Sequence, residues 1–150
     1  MSETDSTADG RQEQSRSVAE AAGEAVFRDY ASNLNWERLK ALLQDRRHVR
    51  FPSEIKFEAA LLLPGECAHT FPRSSNPASG YFIYIHPSFA SQLSSVPYLA
   101  LHQIWFINHG PAATLDDAEL FGSRALGIPL EAYYATLCEL AASLGGDDLC

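Results

Sequence analysis

Tyr81-Phe82-Ile83-Tyr84-Ile85 is the densest aromatic run in the chain, and its reading decides the fold. Aromatic and β-branched side chains suit a pleated, half-buried surface, so the run predicts a strand. It shows little polar alternation, which predicts cover on both faces. Pro87 ends it, and the composition of 72–80, rich in Pro, Ser, Asn and Gly, marks a loop before it. The run lies inside a longer feature. From Ser74 to Leu115 there is no Asp, Glu, Lys or Arg, yet His86, His102 and His109 all fall there. Surfaces hold most of a protein's charge, so this uncharged middle is expected to be the core, wrapped by charged flanks.

Reading outward towards the C-terminus, Ser88 is placed to cap a short helix through Leu93. Ser95 and Pro97 open a longer one to about Asn108, apolar nearly all round and so buried. Gly110-Pro111 stops it. Thr114 with Asp117 has the form of a capping box, with Asp in place of the usual Glu or Gln, and that helix stops at Gly127. Pro129 suits the first turn of a last helix with an apolar stripe from Leu130 through Tyr133, Tyr134 and Leu137 to Leu144.

Towards the N-terminus, Glu66–Phe71 reads as a strand, and Glu54–Leu63 as strand or helix. The strand reading is preferred, because Pro64-Gly65 would then join the two as a hairpin. Asn35 can cap a helix through Trp36, Leu39 and Leu43. Ala22, Val26 and Tyr30 mark a further helix from Val18, weakened by Gly23. Residues 1–17 hold almost no large apolar side chain and are expected as a disordered tail. The expectation is a single helix-rich α+β domain over 18–146, around a small central sheet of two or three strands, with a short tail at 147–150.

At 150 residues the chain can bury a core without staples. Its net charge of −8 argues against nucleic acid and anionic membranes as partners. The turn-like Leu126-Gly127-Ile128-Pro129 precedes a stretch without the basic or amide side chains that read bases. The N-terminus is polar, with no secretory h-region, and the longest apolar run, Val96–Ile107, is too short to span a bilayer. Cys67, Cys138 and Cys150 are far apart and form no CxxC motif, so a reducing cytoplasm with free thiols is the simplest reading.

Four groups of residues bear on function. In a strand, Cys67 and His69 share a face, and His86 ends the neighbouring strand. Cys67, His69 and His86 are thus a candidate ligand set for zinc or iron, and Glu66, Cys67 and His86 a candidate catalytic set with Cys67 as nucleophile. The spacing matches no specific zinc or protease motif. His102 and His109, two helical turns apart, are expected as core and helix-stop residues. Arg46, Arg47 and Arg50 are a candidate anion or partner-binding cluster, or simply cations at a helix end. Tyr81, Tyr84, Trp105 and Phe106 are candidate walls of an apolar pocket.

Three functions fit these features. The first is an accessory or interaction protein without chemistry of its own, with a protein partner or a second copy. The second is a metal- or cysteine-dependent enzyme of hydrolase type. The third is a small-molecule binding module.

Overall fold

The computed structural model describes residues 2–30 and 33–145; the expected tail at 147–150 lies outside them. The architecture is helix-rich α+β, with a three-stranded sheet in the middle of the chain. Helices α1 (Ser2–Tyr30) and α2 (Trp36–Leu43) precede strands β1 (Ser53–Phe57), β2 (Ala68–Pro72) and β3 (Tyr81–Ile85); α3 (Val96–His109), α4 (Leu115–Leu126) and α5 (Leu130–Ser143) follow.

Local signals place most of these elements. Asn35 Oδ1 accepts from the Arg38 N–H at 2.9 Å and opens α2. Thr114 Oγ1 accepts from the Asp117 N–H at 3.2 Å and opens α4, so Asp serves the capping role with its backbone alone. Gly127 closes α4 with φ +68°, a left-handed cap that glycine adopts without steric cost. Before α3 the chain forms two 3-10 turns, 87–91 and 93–95, where one short helix was expected. The first is capped by His86, whose Nδ1 accepts from the Ser88 N–H at 3.1 Å.

The sheet order is β1-β3-β2, with β1 parallel and β2 antiparallel to β3. The expected β1–β2 hairpin across Pro64-Gly65 does not form. β3 inserts between the two strands, and residues 58–67 become a connection. The physical reason is composition: the most apolar strand takes the centre, while β1, with Glu54 and Lys56, and β2, with His69 and Pro72, tolerate edges.

Cover on both faces of β3 is also corrected. Ile83 and Ile85 are fully buried, while Phe82 and Tyr84 are only half-buried on the opposite face. There Phe71 meets Tyr84 edge-on at 5.5 Å, and Lys56 and Arg73 lie over the Phe82 ring at 5.0 and 4.6 Å. Cationic head groups thus sit over an aromatic face that carries no apolar layer.

On the other face lies the core. α3 supplies its centre, with Val96, Ala100, Leu101 and Ile104 fully buried. The largest helix–helix contact joins α1 to α4. It depends on Gly23, where a Cβ would meet Arg124 Cβ and the Phe121 carbonyl oxygen at 2.6 Å. Gly23 therefore sets a close helix approach instead of merely weakening α1. Gly122 plays the same part beneath Tyr133, which is wholly buried and donates its hydroxyl to the Tyr98 carbonyl at 2.6 Å. The stretch before Val18, expected as a tail, continues α1 in the structure; of residues 10–18 only Ser15 is less than exposed, and its hydroxyl donates to Asp117.

Candidate functional site

A groove of about 600 Å³ opens beside β2. Its floor is α3, presenting Leu99, His102, Gln103 and Phe106. One wall is the 63–70 stretch that runs into β2. The other is formed by Leu115 and Glu119 of α4 with Tyr134, Leu137 and Ala141 of α5. Volume and mostly apolar lining are those of a ligand-sized site. Leu63, Leu115 and Tyr134 on its rim are 70%, 62% and 43% exposed, so large apolar side chains stand in water around one concavity.

β2 gives the groove a polar edge. His86 N–H donates to the Cys67 carbonyl at 2.8 Å, and Arg73 N–H donates to the Gly80 carbonyl at 3.0 Å. Ala68 lies opposite Ile85 and Thr70 opposite Ile83. In an antiparallel ladder, bonded and non-bonded residues alternate, so Cys67, His69, Phe71 and Arg73 face β3 with their backbone groups. Ala68 and Thr70 then turn their N–H and C=O outward, towards the groove. Among the described residues no other segment bonds to these groups. The Thr70 hydroxyl instead points down, donating to Gln103 Oε1 at 2.7 Å.

The groove is acidic. Glu66 and Glu119 line it, and no Lys or Arg does. Burial, and secondarily Asp116, raises the Glu119 carboxyl above its ordinary range. Burial lowers His102 to about 4, so that its imidazole is neutral at physiological pH. Its ring stands 5.5 Å from Phe106.

Of the expected catalytic and metal residues, Glu66, Cys67 and His69 reach this groove and His86 does not line it. Glu66 clasps its own loop: Oε1 accepts from the Leu63 N–H at 3.0 Å, and Oε2 lies 2.9 Å from His69 Nδ1. His86 turns to Ser88 and packs edge-on against Phe89. Among the described residues no group of three or more His, Cys, Asp or Glu side chains is placed to hold a metal ion. Cys67, His69 and His86 are therefore not gathered as a ligand set; His69 pairs with Glu66 and His86 with Ser88. Burial, with Glu66 beside it, pushes the Cys67 thiol up to about 11, which keeps it protonated and a poor nucleophile at neutral pH. Cys67 is a free thiol, whereas Cys138 on α5 is disulfide-bonded, so free thiols throughout do not hold.

The basic cluster is largely engaged within the chain. Arg47 grips Asp45 through Nε at 3.1 Å and Nη2 at 2.8 Å, and the Tyr30 hydroxyl donates to the same carboxylate at 2.7 Å. Arg47, then Tyr30, hold Asp45 well below the usual carboxylate range. Arg46 reaches the Arg50 carbonyl, and the Arg50 guanidinium sits over the Phe51 ring at 5.1 Å. The four-aromatic pocket does not assemble either. Trp105 is in the core against His109 and Phe121, Tyr81 packs on Phe51, and Tyr84 is on the outer sheet face. Only Phe106 of that set lines the groove. Leu115 and Glu119 on α4 escaped the sequence reading as site residues, whereas Tyr134 stood in the apolar stripe of the last helix.

No helix among the described residues is long and apolar enough to cross a membrane. No protein-family model, curated protein or solved structure matches this chain.

Proposed function

We propose that this chain is an interaction protein without chemistry of its own, which holds a protein partner in the groove beside β2. The observation that supports this reading best is the gathering of Leu63, Leu115 and Tyr134, all exposed, around one apolar concavity. Against a cysteine-dependent hydrolase stands the raised Cys67 thiol; against a metal-dependent one stands the dispersal of the histidines.

A neutral apolar dye such as Nile red tests the groove. The expected result is saturable fluorescence enhancement that is lost in Leu115→Glu and Tyr134→Glu. It should persist in Leu93→Glu, which alters an exposed leucine outside the groove. Equal enhancement in all three variants would remove the groove as the binding surface.

A further inference from the structure

We infer that the occupant of the groove is an extended peptide segment of another protein, which adds a fourth strand to the sheet beside β2 and carries a basic side chain. The inference deepens the reading above and rests on it.

Three features converge on an extended peptide. The outward N–H and C=O of Ala68 and Thr70 offer a short ladder, a bonding pattern that a strand satisfies along its length. Pro72 has no N–H and ends the ladder, so the added strand is short. The floor beneath is already helical: α3 packs under β2 and β3, and it extends past β2 through His102 and Phe106 into the groove. An added strand would therefore lie on α3 as its neighbours do. Side chains of one parity would face Leu99 and Phe106, and those of the other would face water.

The charge of the lining selects among such peptides. Glu66 is already engaged by His69 and the Leu63 N–H, so Glu119, with no Lys or Arg in the lining, is the carboxylate that favours a lysine or arginine on the incoming strand and disfavours an acidic one. The same argument weighs against a second copy docking by its own β2 edge, since that would bring the two acidic linings together in a chain of net charge −8.

The test uses the full chain and the peptide acetyl-Val-Lys-Val-Lys-Val-Lys-amide, followed by backbone amide NMR. The expected result is saturable binding with the largest shifts at the Ala68 and Thr70 amides. Affinity should fall tenfold or more when alternate peptide nitrogens are methylated, and severalfold in Glu119→Gln. Undiminished binding of the methylated peptide would overturn strand addition while leaving the groove as a binding surface. Equal binding of the Val-Glu counterpart would overturn the charge selection. Failure of every peptide, with Nile red still bound at the groove, would overturn the inference and leave the reading beneath it standing. Loss of Nile red binding as well would remove both. Peptide-independent dimerisation that protects the Ala68 and Thr70 amides would assign the edge to a second copy instead.

Discussion

The two edges of the sheet are finished differently. At β1 the outward carbonyl of Ser53 accepts from Gln44 Nε2 at 2.8 Å, and the Trp36 ring packs 5.7 Å from Phe57, so α2 and the turn after it clasp that side at its two ends. Lys56 adds a charge, a usual guard on a strand edge. At β2, among the described residues, no segment bonds to the outward backbone of Ala68 and Thr70, which borders the groove. An edge left open beside an apolar floor invites pairing. One edge thus carries a side-chain clasp, and the other leaves the outward backbone of Ala68 and Thr70 without a partner among the described residues.

The largest effect that would sharpen this contrast lies on the closed side. Gly80 has φ +95°, and a Cβ there would meet the Pro52 carbonyl oxygen at 2.2 Å. That oxygen accepts from the Tyr81 N–H at 3.0 Å and starts the β1–β3 pairing. Gly80→Ala is expected to cost about 3 kcal/mol or more, read by urea unfolding. A loss below about 1 kcal/mol would mean that the β1 junction is looser than described.

The next effect is on the open side and depends on pH. Burial lowers His102 from the ordinary 6.5 to about 4. The unfolded chain therefore binds more protons between those values, and stability falls as pH drops from 6.5 towards 4. Allowing for the partial exposure of the ring, the loss is about 2 kcal/mol. His102→Gln should remove this component. The urea midpoint of the variant, compared with the parent across that window, gives the difference; parallel curves would show that the floor of the groove is wetter than proposed.

The smallest effect concerns the clasp on β1. Gln44→Ala removes one hydrogen bond to a strand carbonyl, a change worth about 1 kcal/mol, measured by thermal unfolding. The same variant should leave Nile red binding intact, because the groove lies on the opposite edge.

Much of the framework was legible because its signals are local. The caps at Asn35 and Thr114, the stop at Gly127 and the strand at Tyr81–Ile85 each depend on a few neighbouring residues. The buried centre of α3 followed from its lack of charge. Strand order was not legible, since the choice between a β1–β2 hairpin and a central β3 is made by packing between distant segments. Gly23 was misjudged for the same reason: its role belongs to Phe121 and Arg124, far along the chain. The candidate site was legible by half. Glu66, Cys67 and His69 stood out by residue type and do reach the groove. Their partners were not legible: Glu66 accepts from the Leu63 N–H and His86 turns to Ser88, contacts set by the local fold of each loop. Leu115 and Tyr134 become site residues only once α4 and α5 fold across from β2.

The central claim is that the outward edge of β2 stands unpaired in the isolated protein. Backbone hydrogen exchange resolved by residue tests it most directly. The amides of Ala68 and Thr70 should exchange much faster than those of His69 and Phe71, which bond to β3, and should slow when the basic peptide is added. Equal protection of all four amides in the isolated protein would contradict the account.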